Sequence, residues 1–187
     1  MRKSETEKLI KQALGPEELR ELWRAKLPSE DDIKVIDYDD IINSSNIDNL
    51  FNGDDRLIIF YPNYQGEYLF GHYCALIRWK NDTIYFFDSY GGLPDVDQKR
   101  FSGTQRKDLY KEDENSLINL LIDSGFDVDY SDHKLQSKNN NVATCGRWCL
   151  TRCALSHLNN DEFANVIQSL AKFKKMSPDA VVVNVFH

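Results

Sequence analysis

Residues 71–95 read GHYCALIRWKNDTIYFFDSYGGLPD, and this stretch decides the fold. Two runs rich in β-branched and aromatic residues, 71–79 and 83–88, are separated by Lys80-Asn81-Asp82. That pattern predicts two antiparallel strands joined by a tight hairpin loop. The Gly, Pro, Asp and Ser content of residues 89–111 predicts a long surface loop after the second strand.

The length of the hairpin loop decides whether His72 and Asp88 share a face of the sheet. A two-residue turn would pair Lys80 with Thr83, which sends the imidazole and the carboxylate to opposite faces. A three-residue loop instead pairs Trp79 with Thr83 and makes the two side chains diagonal neighbours on one face. Diagonal β-carbons lie about 7–8 Å apart, a gap that these side chains can span. An Asn or Asp in the left-handed conformation suits such a loop. We therefore predict the odd-length loop, or a bulge of equal effect.

The rest of the chain predicts helices and strands around this hairpin. An amphipathic N-terminal arm, residues 1–51, begins with the capping-box pattern Ser4-Glu5-Thr6-Glu7 and packs on the domain. The other predicted elements are a helix from Pro16 to Pro28, a helix at 39–51, a buried strand at 57–61 ended by Pro62, a helix at 113–124, a strand at 126–130, a loop at 131–144, helices at 145–158 and 161–173, and a last strand at 181–186.

Length and charge limit the domain organisation and the partners. With 187 residues and 41% hydrophobic residues, the chain can bury one core. We expect a single domain, with the helical arm at 1–51, a catalytic core at 56–158, and a C-terminal helix and strand at 159–187. The net charge of -7 argues against a nucleic-acid surface. A monomer is the expected state.

The four cysteines of the chain indicate a reducing compartment. No signal peptide and no apolar run of membrane-spanning length accompanies them, so we expect neither disulfides nor a membrane partner. Cys145, Cys149 and Cys153 share one helical stripe, but no Cys-x-x-Cys pair or His pair joins them. We expect no metal, and we interpret Cys149 and Cys153 as small buried residues, with Cys74 packed in its strand.

Cys145 is the candidate nucleophile. It lies in Ala143-Thr144-Cys145-Gly146-Arg147-Trp148, where a polar Asn-rich loop changes to a helical apolar pattern. The sulfur is therefore expected at a helix N-terminus, whose partial positive charge favours the thiolate. Gly146 is expected to leave the sulfur uncrowded on the side from which a substrate approaches.

Three residues upstream complete a possible catalytic set. His72 can act as the base, Asp88 can orient its ring, and the amide of Gln136, with the backbone N–H of Cys145, can donate to an oxyanion. Each has an ordinary structural explanation: a packed histidine, a strand-end aspartate, an exposed loop glutamine and a buried thiol. Only the ordered set, each member at the end of a predicted element, points to chemistry.

These residues resemble a known family. Adenain-like and ubiquitin-like-protein-specific cysteine peptidases carry a His, an Asp or Glu, a Gln and a Cys in this chain order. The order here is similar, and its motifs are Gly71-His72-Tyr73, the Phe-Asp-Ser-Tyr-Gly-Gly-Leu-Pro-Asp run that ends at Asp95, Gln136 and Thr144-Cys145-Gly146. The Phe-Asp-Ser-Tyr stretch is most similar to maturation proteases of virophages, Polinton-type elements and large DNA viruses. The resemblance covers residues 56–158. Two features depart from the family pattern: Tyr73 stands where a Trp is usual, and Gln136 lies farther ahead of the cysteine.

The resemblance implies a thiol endopeptidase of the α+β class. Its fold would be a central mixed sheet flanked by helices, papain-like and of the adenain type, with a Cys145-His72-Asp88 triad. The family often cuts after small residues, and Tyr73, Tyr90 and Trp148 are candidates for the cleft, although Trp148 can equally be core. The viral role is maturation of capsid protein precursors, in the host cytoplasm or virus factory or inside the virion. Adenain uses DNA as a cofactor, but the acidic charge of this chain argues against that, and we expect no cofactor.

Three alternatives stay open. The first is a peptidase that removes ubiquitin or a related modifier from its conjugates. The second is a binding module without catalysis on the same fold, although all four positions carry competent residues. The third is an acyltransferase, since the same thiolate could pass an acyl group to an amine.

Overall fold

A five-stranded mixed sheet lies at the centre of the molecule, in the order β1-β2-β3-β4-β5. The computed structural model describes residues 1–65, 68–80, 82–96 and 116–187. The strands are β1 Lys34–Asp37, β2 Arg56–Gln65, β3 Tyr68–Trp79, β4 Thr83–Phe87 and β5 Asp127–Tyr130. The described helices are α1 Lys3–Ile10, α2 Pro16–Lys26, α3 Tyr38–Ile42, α4 Ile47–Phe51, α5 Ser116–Asp123, α6 Cys145–Ala154, α7 Asn160–Lys174 and α8 Pro178–Val185.

Strand direction makes the sheet mixed. β3 runs antiparallel to both of its neighbours, β2 and β4, whereas β1 runs parallel to β2 and β5 runs parallel to β4. Helices cover both faces, so the prediction of an α+β fold with a central mixed sheet flanked by helices is confirmed.

The hairpin has the register that the odd-length loop requires. Trp79 pairs with Thr83 and Ala75 pairs with Phe87, as predicted. Lys80 takes the left-handed conformation with φ 55°, in place of the expected Asn or Asp; Asn81 lies outside the described residues. The register brings the start of β3 and the end of β4 together, where the candidate base and its orienting carboxylate are placed.

Alternation along β3 divides the buried side chains between two cores. Tyr73 and Ala75 belong to the core beneath α6, which also holds Trp148. Cys74 and Leu76 point to the opposite core, which is covered by α3, α4 and α5.

The N-terminal arm is part of this architecture. Leu19 and Trp23 of α2 are buried in the core beneath α6. The Trp23 ring stacks on Phe186 at 6.3 Å, and its indole N–H donates to the carbonyl of Asp31 at 2.8 Å. The arm also supplies β1, a strand that the sequence pattern did not predict.

Two predictions for the arm are wrong in detail. Helix α1 begins at Lys3, and its N-cap Arg2 makes no side-chain cap, so Ser4 starts no capping box. The single helix predicted at 39–51 is two short helices, because Asn46 begins α4 by accepting the N–H of Asn49 at 2.9 Å.

The last predicted strand, 181–186, is instead the helix α8. Its valines suggested a strand, but Ser177 accepts the N–H of Ala180 at 3.1 Å and Pro178 occupies the first turn, which together start a helix. The valines at 181–183 are buried against the core, so tertiary packing outweighs their β propensity.

Pro62 does not end β2, since it pairs with Gly71 of β3. The pairing of β1 with β2 stops at Phe60, so at Pro62 the other side of β2 is a sheet edge. A proline at an edge removes no hydrogen bond from the sheet. The part of the predicted long loop beyond Val96, and the first residues of the predicted helix at 113–124, lie outside the described residues.

Candidate functional site

His72 lies near the start of β3, beside the end of β4. Its Nε2 lies 2.7 Å from Oδ1 of Asp88, and both side chains are buried. Gly71 permits this position, because a Cβ there would lie 2.3 Å from the carbonyl oxygen of Tyr61. The predicted pairing of imidazole and carboxylate therefore forms.

Asp88 is held by the turn that follows it. Its Oδ1 also accepts the N–H of Tyr90 at 2.9 Å, and its Oδ2 accepts the N–H of Gly92 at 2.8 Å. A Cβ at residue 92 would lie 2.3 Å from Oδ2, so the second glycine of the motif makes room for the carboxylate. Burial works against ionisation, but the hydrogen bond and charge of His72 and the two N–H donors hold the pKa of Asp88 below its usual value.

Cys145 is the first residue of α6, as predicted, and is half-buried. The imidazole of His72 and the backbone N–H groups of Tyr73 and Gly146 lie next to its sulfur as possible donors. Because Asp88 occupies Nε2 of His72, Nδ1 is the ring nitrogen left for the sulfur. Burial opposes the thiolate, but these donors and the charge of His72 lower the pKa of Cys145.

His72 responds in the opposite direction. Burial disfavours its charged form, but the hydrogen bonds and charges of Asp88 and Cys145 raise the pKa of His72 well above its usual value. The two shifts together favour a thiolate beside an imidazolium. A carboxylate, an imidazole and a thiol thus lie together, with the imidazole between the other two groups.

Gly146 lines the cavity beside Cys145 and also has a packing role. A Cβ on Gly146 would lie 2.8 Å from Cδ2 of Leu19 and 3.4 Å from Cδ2 of Tyr73. The glycine therefore allows α2 of the N-terminal arm to approach the nucleophile helix, a packing role that the sequence alone did not suggest.

Gln136 lies at the site and is buried. Its Oε1 accepts from the Ser89 hydroxyl at 2.7 Å, and its Nε2 donates to the Tyr90 hydroxyl at 3.0 Å. The second N–H of Nε2 makes no hydrogen bond to a described residue. The backbone N–H of Cys145 is likewise unpaired in the described part of the chain. Both groups are therefore able to donate to an oxyanion.

The three aromatic candidates have different positions. Tyr90 stacks on the His72 ring, with centroids 5.0 Å apart. Tyr73 packs on Phe60 and donates its hydroxyl to the carbonyl of Leu14 at 3.1 Å. Of the two positions considered for Trp148, cleft and core, the structure shows the core, where the side chain is fully buried.

A cavity of about 640 Å³ opens at the nucleophile. Its walls come from four parts of the chain: the arm, the β2-β3 pair, the turn after β4, and the loop before α6. The lining residues are Ala13, Leu14, Gly15, Pro16, Asp37, Phe60, Phe70, Gly71, His72, Tyr73, Tyr90, Gln136, Asn140, Val142, Ala143, Cys145 and Gly146.

Asp179 is a supporting residue that the sequence analysis missed. Its Oδ1 accepts from the Thr144 hydroxyl at 2.5 Å and from the Trp148 indole at 2.9 Å, and its Oδ2 accepts the N–H of Ser137 at 3.1 Å. Thr144 and Trp148 lie on either side of Cys145 in the chain, and Ser137 directly follows Gln136. One buried carboxylate therefore links the segments that carry these two candidate residues. The missed signal was Ser177-Pro178, which starts the helix that carries this aspartate.

The other cysteines are buried. Burial raises the pKa of Cys149 well above its usual value, and raises the pKa of Cys153 to about 12. Within the described ranges, His72, Cys74 and Asp88 place possible metal-ligand atoms within 4.8 Å of one another. A metal there would have to break the hydrogen bond between imidazole and carboxylate.

Comparison with known proteins finds one relative in a virophage. The chain is 27% identical over 152 residues to "Uncharacterized protein V9" of Sputnik virophage, an alignment that covers 81% of this chain and 85% of V9. No family model matches the chain. Among the described residues, no helix combines the length and the apolar character needed to cross a bilayer.

Proposed function

We propose that this protein is a cysteine endopeptidase of the adenain-like type, with a papain-like arrangement of nucleophile helix and sheet. The observation that carries the proposal is the 2.7 Å hydrogen bond between His72 and Asp88, with the sulfur of Cys145 next to the same imidazole. A buried carboxylate, an oriented imidazole and a thiol with a lowered pKa at a helix N-terminus are what thiol-dependent acyl transfer requires.

In the proposed reaction the Cys145 thiolate attacks the carbonyl carbon of the peptide bond, and the carbonyl oxygen becomes an oxyanion. The N–H of Cys145 and the free N–H of Gln136 donate to that oxygen. The carbon–nitrogen bond then breaks, and the His72 imidazolium gives its proton to the leaving amine. His72, now neutral, takes a proton from the water that attacks the thioester. The carbon–sulfur bond breaks, the new carboxylic acid leaves, and the thiolate–imidazolium pair is restored.

The proposed substrates are capsid protein precursors cut after small residues. The preference for small residues rests on the family resemblance of the site motifs. A virophage relative over most of the chain supports a role in a viral life cycle, in the host cytoplasm or virus factory or in the virion.

The test is incubation of the purified protein with virophage capsid protein precursors, followed by mass mapping of the fragments. We expect cleavage after small residues by the wild type and none by Cys145→Ala or His72→Ala. Cys149→Ala, a matched buried cysteine on the same helix, should retain cleavage. Equal loss in all three variants would mean that packing had been mistaken for catalysis.

The same preparations separate the alternatives. Cleavage of a fluorogenic ubiquitin-type conjugate, with capsid precursors left intact, would favour a deconjugating peptidase. Binding of acetyl-coenzyme A and transfer of its acetyl group to an amine would favour an acyltransferase. Binding of precursors without any cut would leave a binding module.

A further inference from the structure

The N-terminal arm forms one wall of the cavity at Cys145. Residues 13–16, between α1 and α2, line the cavity together with the nucleophile and His72. Ala13 is exposed, and Gly15 has an extended backbone with φ -80° and ψ 169°. The arm therefore reaches the place where a substrate would lie.

Three carbonyl groups of the arm hold this segment against the catalytic core. The carbonyl of Ile10 accepts the N–H of Ala143 at 2.8 Å, and the carbonyl of Gln12 accepts from the buried guanidinium of Arg147 at 3.0 Å. The carbonyl of Leu14 accepts the Tyr73 hydroxyl at 3.1 Å. These bonds hold the segment on both sides of Ala13. Two of the donors, Ala143 and Arg147, lie two residues before and two residues after Cys145 in the chain.

Ala13 itself is left with unused backbone groups. Neither its N–H nor its C=O bonds to another described residue, and the N–H of Leu14 is also unpaired there. Ala13 is thus exposed, lies in a segment that is hydrogen-bonded to the core, and has a free backbone donor and acceptor. Extended peptides add to such an edge by main-chain hydrogen bonds. Such pairing requires no particular side chain of the peptide, and it orders the peptide next to the sulfur.

We propose that residues 13 and 14 are a docking edge for the substrate, which binds the backbone of an extended peptide and sets it along the cavity. This inference rests on the proposed peptidase function. The arm is thus a substrate-binding element as well as a packing element. Because the edge recognises the main chain, bulk at Ala13 should block peptides and leave small reagents unaffected.

Two alkylating probes of Cys145 test the docking edge. Iodoacetamide needs only the thiolate, whereas a tetrapeptide chloromethyl ketone ending in Gly-Gly needs the thiolate and the peptide-binding wall. We would measure both second-order rate constants for the wild type, for Ala13→Trp, and for Lys11→Trp, an exposed arm residue outside the cavity lining. An unchanged iodoacetamide rate shows that each variant retains its folded site.

The wild type and Lys11→Trp should react faster with the peptidyl probe than with iodoacetamide. Ala13→Trp should lose about tenfold of that preference, the loss expected when two main-chain hydrogen bonds are denied. A peptidyl rate in Ala13→Trp equal to that of Lys11→Trp would overturn the docking edge and leave the peptidase proposal standing. A wild-type thiol that reacts with iodoacetamide but shows no peptidyl preference would also overturn it. No selective reactivity of Cys145 at all would overturn both proposals.

Discussion

Asp88→Asn is the substitution whose effect the geometry constrains most tightly. The Asp88 carboxylate accepts from the His72 ring at 2.7 Å, from the Tyr90 N–H at 2.9 Å and from the Gly92 N–H at 2.8 Å. An asparagine offers one acceptor oxygen and an amide nitrogen that only donates. Whichever way the amide is turned, its NH₂ group faces at least one backbone N–H.

The magnitude follows from those contacts. With the oxygen kept at the position of Oδ1, the Gly92 N–H loses its acceptor, at a cost of about 1–3 kcal/mol in stability. With the amide reversed, His72 must take the opposite tautomer. In both cases the charge that stabilises the imidazolium is lost. A charge-assisted hydrogen bond contributes about 1.5–3 kcal/mol, which corresponds to about 10- to 150-fold less thiolate–imidazolium pair.

The assay is the rate of Cys145 alkylation by iodoacetamide as a function of pH. Loss of the Asp88 charge lowers the pKa of His72, so the imidazolium is lost at a lower pH and the pKa of Cys145 rises. The rate at mildly acidic pH should therefore fall by about 10- to 150-fold. The matched control is Asp95→Asn, because Asp95 is a buried aspartate of the same motif whose carboxylate binds the Tyr38 hydroxyl and the N–H of Ile118. If the rate of Cys145 alkylation depended on pH in the same way in the wild type and in both variants, the proposed triad would be refuted.

Three further predictions follow from the site. In the wild type, iodoacetamide at mildly acidic pH should label Cys145 first, because the pKa of Cys145 is lowered whereas burial raises the pKa of Cys153 to about 12. Peptide mapping that finds another cysteine labelled first would contradict the assignment. Gly92→Ala places a Cβ 2.3 Å from the Asp88 carboxylate, so urea unfolding should show a loss of about 1–3 kcal/mol. Gly15→Ala, where the nearest atom is 3.5 Å away, should unfold like the wild type, and equal losses would remove the steric argument. Asp179→Asn leaves one of its three donors without an acceptor. The free energy of unfolding, measured by thermal denaturation, should fall by about 1–3 kcal/mol, and alkylation of Cys145 should slow. An unchanged melting temperature would show that the three hydrogen bonds do not stabilise the fold.

Several features of the fold and the site could be predicted because they depend on short-range rules. Side chains alternate along a strand, so the length of one hairpin loop settled that His72 and Asp88 share a face. The change from polar loop to helical pattern placed Cys145 in the first turn of its helix. The mixed α+β architecture agreed with the order of predicted elements and with the resemblance built on the Phe87-Asp88-Ser89-Tyr90 motif.

Other features depended on which parts of the chain pack together. The valines at 181–183 are compatible with a strand by sequence. They form a helix because they are buried in the core and because Asp179, in the same helix, is hydrogen-bonded to Trp148 of α6. Trp148 could have faced a cleft or the core, and the fold places it in the core.

By itself the sequence determined which chemical groups are present and on which side of each element they emerge, because these depend on neighbours along the chain. The tertiary structure alone decided that Tyr90, and not Tyr73, stacks on the histidine, and that the N-terminal arm lines the cavity. Such contacts join residues far apart in the chain, and their free energy comes from burial and hydrogen bonds that form only when the whole domain is assembled.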